Sequence, residues 1–124
     1  MDKKKILVID DEEDILNLIG KKLNNSNYDC ITASRAKDGL NLAKTGKPDL
    51  ILLDIAMPDM DGYAVARDLK KEKTTRDIPI IFLTGKELDP QSINERIGVI
   101  GAYDFLMKPS SLKELLDKVK AAIG

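Results

Sequence analysis

The fold of this chain is decided by the stretch PDLILLDIAMPDMDG, residues 48–62. Its apolar run, Leu50–Leu53, lies between turn residues, which is typical of a strand buried on both faces in a parallel sheet. Asp54 ends this run, and a turn rich in Pro, Asp and Gly follows it. A charge in the middle of such a strand would be costly, whereas at the carboxyl end it reaches the crevice where open α/β sheets bind ligands. Asp54 is therefore the first candidate functional residue.

The composition indicates a globular domain and excludes several kinds of site. The 124 residues, 43% hydrophobic and 33% charged, predict one domain over residues 1–124. A net charge of −1 argues against a nucleic-acid-binding surface over the whole domain. We find no apolar segment of membrane-spanning or signal-peptide length, so we expect a cytoplasmic protein with no membrane partner. The single cysteine, Cys30, fits a reducing compartment as a small core residue, and the absence of histidine removes the commonest general base and any His metal site.

Five apolar runs alternate with five helical patterns. The predicted strands are Ile6–Ile9, Tyr28–Ala33, Leu50–Asp54, Ile78–Thr84 and Tyr103–Met107. The predicted helices are Glu12–Asn25, Ala36–Lys44, Gly62–Lys73, Pro90–Val99 and Leu112–Ile123. This alternation predicts an α/β fold with a five-stranded parallel sheet and helices on both faces. The flavodoxin-like strand order 2-1-3-4-5 is the expected one, with the switch point between strands one and three.

Three of the predicted helices have recognisable start signals. Ser34 is a candidate N-cap for the second helix. Asp89 precedes Pro90 at the start of the fourth, and Ser111 with Glu114 forms a capping box at the start of the fifth.

Chemically complementary side chains follow four of the five predicted strands. Asp10 and Asp11 follow strand one, and the ends of strands three, four and five carry Asp54, Thr84 and Lys108. Parallel strands bring these ends to one edge, where the carboxylates would repel one another and raise each other's pKa. A bound cation and the Lys108 ammonium would relieve that repulsion, and Mg²⁺ suits a set of oxygen ligands that works with phosphate. The arrangement predicts phosphoryl transfer with Asp54 as nucleophile.

Each of these residues alone has an ordinary structural explanation, and only the combination is informative. An acidic residue at a strand end is more often a solvated turn or helix cap. We interpret Asp59 and Asp61 as turn residues. Glu12, Glu13 and Asp14 are interpreted as charges suited to the start of a helix, although one could assist through metal-bound water.

The chain resembles the response-regulator receiver domain of two-component signalling over essentially its whole length. The resemblance is carried, in order, by Ile6–Asp11, Asp54–Pro58 with Asp61-Gly62, Leu83–Gly85, Gly101-Ala102 and Phe105–Pro109. These motifs are weak singly but specific in this order and spacing. The resemblance is to a stand-alone, chemotaxis-type receiver.

The resemblance implies a role for each residue of the strand-end set. Asp54 would accept a phosphoryl group from a phosphohistidine on a sensor histidine kinase or histidine phosphotransfer protein. Asp11, Asp54 and the backbone carbonyl of Ala56 would ligate Mg²⁺, with Asp10 acting through water. Thr84 and Lys108 would bind phosphoryl oxygens. The protein would then catalyse only its own phosphorylation and dephosphorylation.

The resemblance also implies a switch that controls a binding surface. Thr84, drawn toward the phosphoryl group, would vacate space into which Phe105 rotates from solvent, as a population shift between two states. The alternative is that Phe105 is a static core residue. The downstream protein would bind on helix four, strand five and helix five, around Lys86, Ile93, Tyr103 and Lys113.

Three other functions fit these residues less well. A haloacid-dehalogenase-type phosphatase requires a second Asp two residues after the nucleophile, where this chain has Ala56. A flavodoxin requires Ser, Thr and Gly donors after strand one, where the acidic run Asp10–Asp14 would repel a phosphate. A docking module that is never phosphorylated would not need the complete set of Asp54, Thr84 and Lys108.

Overall fold

The chain folds into five strands that alternate with five helices, as seen in a computed structural model that describes residues 3–85, 89–108 and 111–124. The strands are β1 (Lys5–Ile9), β2 (Asp29–Ala33), β3 (Leu50–Asp54), β4 (Ile80–Thr84) and β5 (Asp104–Met107). The helices are α1 (Glu13–Asn25), α2 (Ala36–Gly46), α3 (Gly62–Lys71), α4 (Pro90–Ile100) and α5 (Leu112–Ile123). Within the described ranges, none of the helices has the length and apolar character needed to cross a membrane.

The strands form one parallel sheet in the order β2-β1-β3-β4-β5, so the predicted fold is confirmed. Ile9 lies beside Leu53 in the register of β1 and β3, and Asp54 lies beside Leu83 in that of β3 and β4. All strands therefore end at the same edge. Because β1 and β3 are adjacent at the centre, their two acidic ends meet at the switch point of the sheet.

The side chains of β3 alternate between two apolar cores on opposite faces of the sheet. Ile51 and Leu53 join the core that α2, α3 and α4 cover. Leu50 and Leu52 join the core beneath α1 and α5, with Cys30 packed at its margin. Cys30 is half-buried, and burial, with a smaller contribution from Asp29, raises the pKa of its thiol to about 11, which makes it a poor nucleophile.

The observed boundaries differ from the predicted ones at several strand and helix ends. Strand β4 begins at Ile80 rather than at Ile78, and the carbonyl of Pro79 accepts a hydrogen bond from the N–H of Ile51 at 3.0 Å. Tyr103 was predicted in the fifth strand but precedes β5, with its N–H donating to the carbonyl of Ile80 at 2.8 Å. Pro79 and Tyr103 thus form hydrogen bonds with a neighbouring strand but lie outside the regular strands. The apolar pattern in the sequence is therefore longer than the strands themselves.

Two of the three predicted N-caps are confirmed by hydrogen bonds, and the third is wrong. The Asp89 side chain accepts from the N–H of Gln91 at 3.4 Å, and Ser111 Oγ accepts from the N–H of Glu114 at 3.0 Å. Helix α2, however, has Arg35 rather than Ser34 at its N-cap, with no side-chain bond from that residue. Its first N–H, that of Ala36, donates instead to Asp59 Oδ2 at 3.0 Å.

Candidate functional site

Asp54 lies at the carboxyl end of the central strand, almost fully enclosed. The residue is 2% exposed, and its Oδ1 accepts a hydrogen bond from the backbone N–H of Ala56 at 3.2 Å. Burial and the nearby charge of Asp10 raise the pKa of Asp54 to about 7, while Lys108 opposes that rise. In the absence of a cation, the folded protein therefore resists ionising this carboxyl group.

Asp10 lies beside it at the end of β1. The residue is fully buried, and its Oδ1 accepts the backbone N–H of Glu12 at 2.9 Å. Burial raises the pKa of Asp10, although this hydrogen bond and the Lys108 ammonium act against the shift. Two carboxyl groups are thus enclosed at one point of the sheet edge.

Lys108, just after β5, brings a single ammonium into contact with three carboxylates. Its Nζ lies 2.8 Å from Glu12 Oε1, 3.0 Å from Asp10 Oδ2 and 3.5 Å from Asp54 Oδ2. Burial would lower the pKa of this lysine, but the hydrogen bonds that its ammonium donates to Glu12 and Asp10 outweigh burial, so the pKa is raised. The lysine therefore stays charged.

A cluster of carboxylates that could hold a cation contains two of the predicted residues, Asp10 and Asp54, together with Glu12. Carboxylate oxygens of Asp10, Glu12 and Asp54 all lie within 4.8 Å of one another. Asp11 is exposed and outside this trio, although its side chain is among the causes that raise the pKa of Asp54. A site of oxygen ligands with excess negative charge and a raised carboxyl pKa fits Mg²⁺, because the ion would favour the ionised form.

The loop after Asp54 is fixed by backbone contacts. Ala56 and Asp61 form a bridge, and the N–H of Gly62 donates to the carbonyl of Ile55 at 2.8 Å. A Cβ placed on Gly62 would lie 2.3 Å from the Asp54 carbonyl oxygen, so glycine is required for this close approach. Asp61, interpreted from the sequence as a turn residue, is the N-cap of α3 and accepts the N–H of Tyr63 at 3.0 Å.

Thr84 and Phe105 lie on the two strands beyond β3. Thr84 is fully buried, and its hydroxyl donates to the carbonyl of Gly85 at 3.2 Å. Phe105 is already half-buried and packs against the core on the α4 side, with Lys118 Nζ 5.9 Å from the centre of its ring. The predicted movement of this ring from solvent to interior would therefore start from a partly enclosed position.

The predicted binding surface is corrected at one residue. Ile93 is 1% exposed because it lies on the inward face of α4, so it cannot belong to an accessible surface in this state. Tyr103 at 46% and Lys113 are exposed, and Lys86 lies outside the described residues. Val99, 86% exposed on α4, was not predicted.

Sequence reasoning missed Glu12 and Asp59. Glu12 was interpreted as a charge suited to a helix start, yet it makes the shortest contact with Lys108, 96 residues away. Asp59 was interpreted as a turn residue, yet its side chain accepts the first N–H of α2 and so caps that helix. Neither contact leaves a local signal, because each acidic residue also fits the turn or helix start in which it lies.

Known proteins share this sequence pattern and this fold. A family model described as the response regulator receiver domain matches residues 6–120. The chain is 42% identical over 121 residues to the alkaline phosphatase synthesis transcriptional regulatory protein PhoP of Bacillus subtilis, covering 97% of this chain and 48% of PhoP. It is 39% identical over 121 residues to the phosphate regulon transcriptional regulatory protein PhoB of Pseudomonas aeruginosa, covering 97% of this chain and 52% of PhoB. The chain thus spans about half the length of these curated relatives.

Solved structures of other proteins share the fold of this chain. The Francisella response regulator 1452 receiver domain has a TM-score of 0.85 at 31% identity, with 97% of this chain and 96% of that one covered. The Vibrio cholerae chemotaxis protein CheY4 has a TM-score of 0.91 at 24% identity, with 98% and 100% covered, and this likeness concerns the fold alone. The chain therefore belongs to the response regulator receiver domain family, the phosphorylated receivers of two-component signalling.

Proposed function

We propose that Asp54 is the residue of this receiver that accepts the phosphoryl group. The observation that carries the proposal is the geometry at the end of β3, where the buried Asp54 carboxylate lies 3.5 Å from the Lys108 ammonium and within 4.8 Å of two other carboxylates. A carboxylate beside cations suits phosphoryl transfer, in which catalysis is mainly positioning and charge stabilisation.

In the proposed step, one Asp54 carboxylate oxygen attacks phosphorus while the P–N bond of a partner's phosphohistidine breaks. The released electron pair returns to the imidazole nitrogen, which takes up a proton. The donor imidazole lies outside this sequence, which contains no histidine, and would come from a sensor histidine kinase or a histidine phosphotransfer protein. The covalent chemistry is thus an acyl phosphate formed on Asp54.

The other residues of the site would hold the transferred group. Lys108 would donate to one phosphoryl oxygen, and the Thr84 hydroxyl would turn from the carbonyl of Gly85 to donate to another. Bound Mg²⁺ would neutralise the developing negative charge. Its ligands would come from the buried Asp10 and Asp54, with the predicted Asp11 and the Ala56 carbonyl as further candidates.

The protein family is not one of conventional enzymes, and we propose that the catalysis of this chain is limited to its own phosphorylation and dephosphorylation. A haloacid-dehalogenase-type phosphatase is not favoured, because position 56 carries alanine rather than a second aspartate. The exchange is proposed to take place in the cytoplasm, which fits a chain with a single half-buried thiol.

We further propose that phosphorylation is transmitted by protein contacts on α4, β5 and α5. Val99 and Tyr103 expose apolar surface there, and Lys113 on α5 is exposed as well. Stand-alone action, as in a chemotaxis-type receiver, requires a separate partner on this face. PhoP and PhoB are named transcriptional regulators and are about twice as long, so the alternative is that this face acts on an effector domain of the same protein. In either arrangement, we propose that this segment itself does not bind nucleic acid, in keeping with its net charge of −1.

Intact-mass measurement after incubation with acetyl phosphate tests the site. The wild-type protein should gain one phosphoryl group in the presence of Mg²⁺ and little without it. Asp54→Asn should gain none while keeping its folded circular dichroism spectrum, and Asp59→Asn, a nearby acidic control, should be labelled like the wild type. Equal labelling of Asp54→Asn would refute the assignment.

A further inference from the structure

The Lys108 ammonium is unequally shared among its three acidic neighbours. Its two shortest contacts are to Glu12 at 2.8 Å and Asp10 at 3.0 Å, whereas Asp54 lies at 3.5 Å. An ammonium has three hydrogens to donate. In this state, its hydrogen bonds go to residues other than the proposed phosphoryl acceptor.

The two closer partners differ in how easily they can release the lysine. The Asp10 side chain is fully buried, so removing its cation would leave an enclosed carboxylate without compensation. The Glu12 side chain is 57% exposed and can exchange the lysine for water at little cost. Glu12 is therefore the partner that Lys108 can leave when a new anion forms on Asp54.

We propose that Glu12 is a positioning residue that retains Lys108 in the unphosphorylated protein and competes with the phosphoryl group for it. This inference rests on the proposed function of Asp54. Each phosphorylation must break the contact between Glu12 and Lys108, and each dephosphorylation restores it. The side chain at position 12 therefore helps to set the balance between the two states.

The contact predicts both the sign and the size of the effect. Removing the Glu12 carboxylate frees Lys108 for Asp54 and also removes a negative charge near the incoming anion, so both consequences favour the phosphorylated state. A partly exposed ion pair corresponds to an effect of about two- to fivefold on the equilibrium. The effect should shrink at high salt, because exposed charges are screened.

Beryllofluoride, a phosphoryl mimic, allows this balance to be measured as a binding constant at saturating Mg²⁺. Glu12→Gln should bind it about two- to fivefold more tightly than the wild type, and Glu12→Ala, which has no side-chain acceptor, at least as tightly as Glu12→Gln. The matched control is Glu13→Gln, which removes the same charge from the first turn of α1. Glu13 is not among the ion-pair partners of Lys108 in the described part of the chain, so its variant should stay within about 1.5-fold of the wild type.

A second readout separates retention of the lysine from simple charge repulsion. In protein with ¹⁵N-labelled lysine side chains, the Lys108 ammonium resonance should differ between Glu12→Gln and wild type without beryllofluoride. The two resonances should converge when it is bound, because Lys108 has then left position 12 in both proteins. A Lys108 resonance that is unchanged in the free variant would overturn the inference.

The remaining outcomes distinguish this inference from the function on which it rests. If the wild-type protein bound no beryllofluoride and took up no phosphoryl group, the proposed function itself would fail. If the wild type bound normally but Glu12→Gln matched Glu13→Gln, only the role of Glu12 would fail. Weaker binding by Glu12→Gln at saturating Mg²⁺ would also overturn it and would identify Glu12 as a metal ligand instead.

Discussion

Strands β3 and β5 both bring a charged residue to the same edge of the sheet, but they differ in burial and in strand pairing. All five residues of β3 are buried, and the strand is bonded on both sides. In β5 only Leu106 is buried, the other three residues are half-buried, and the strand lies at the sheet edge. The carboxylate of Asp54 is thus fixed from both faces of the sheet, while Lys108 and Phe105 belong to a strand with fewer restraints.

This difference fits two separate requirements of the site, a fixed nucleophile and groups that can move. A nucleophile benefits from a fixed position, because small displacements weaken its alignment with phosphorus. Groups that respond to the phosphoryl group must instead have two accessible positions, which requires a region of lower local stability. The comparison can be tested by perturbing each strand and its neighbours.

Truncating a side chain in each strand should give the largest difference between β3 and β5 in the free energy of unfolding. Leu52→Ala in β3 removes a fully buried side chain and should lower the free energy of unfolding by about 2–5 kcal/mol. Met107→Ala in β5 removes a half-buried one and should cost about 1 kcal/mol. Urea unfolding followed by circular dichroism measures both, and equal losses would contradict the assigned difference between the strands.

A methyl group placed against Asp54 should have the next largest effect. Gly62→Ala forces its Cβ against the Asp54 carbonyl oxygen and should cost about 3 kcal/mol, because backbone atoms must move. Phosphoryl uptake by the variant should also slow. The control, Gly98→Ala, lies within α4 with nothing within 4 Å of the added Cβ, and should be neutral or stabilising by up to about 1 kcal/mol. If both variants behaved alike in urea unfolding and acetyl phosphate labelling, the loop would not be held as described.

The buried Asp54 carboxyl group should make the free energy of unfolding depend on pH. Its pKa is raised to about 7 from 3.8, so between these values the folded state binds more protons than the unfolded state, and stability falls as pH rises from about 4 to 7. Asp54→Asn removes this penalty and should be about 2 kcal/mol more stable than wild type at pH 7 without Mg²⁺. The gap should close near pH 4.

Urea titrations at pH 4, 5.5 and 7 measure that gap, with the exposed Asp68→Asn as control. A gap that stayed constant with pH, or that was reproduced by Asp68→Asn, would show that burial of Asp54 is not its cause.

The smallest effect is expected at the edge strand. Lys118 Nζ lies 2.7 Å from Asp104 Oδ2 and near the Phe105 ring, with both charged side chains about one-third exposed. Lys118→Gln should therefore cost less than about 1 kcal/mol, while the amide resonance of Phe105 shifts. Lys113→Gln, an exposed change on the same helix, should leave that resonance in place. An unaltered Phe105 signal in Lys118→Gln would mean that this ion pair does not position the ring.

The sequence predicts the sheet well because its strands carry the information locally. The run Leu50–Leu53 is apolar throughout, as a strand between two helical layers must be, and strand ends of a parallel sheet meet whatever their separation along the chain. That argument brings Asp10, Asp54 and Lys108 together, as observed.

Contacts that depend on side-chain reach could not be predicted in the same way. Glu12, the residue just before α1, is the closest partner of Lys108 because its side chain points toward the lysine. No periodicity in the sequence encodes that direction. Ser34 has the residue type of an N-cap, but the helix begins one residue later and is capped from Asp59 in a distant loop. Ile93 was predicted on the binding surface, but it packs on the inward face of α4, and which face of that helix turns inward depends on contacts with the rest of the fold.

The loop between β3 and α3 has a consequence for the lengths that this part of the chain can tolerate. It is closed by the Gly62–Ile55 hydrogen bond and the Ala56–Asp61 bridge, and Asp59 at its tip is tied to the start of α2. An added residue would have to break at least one of these ties. A reporter peptide inserted in this loop should therefore destabilise the fold.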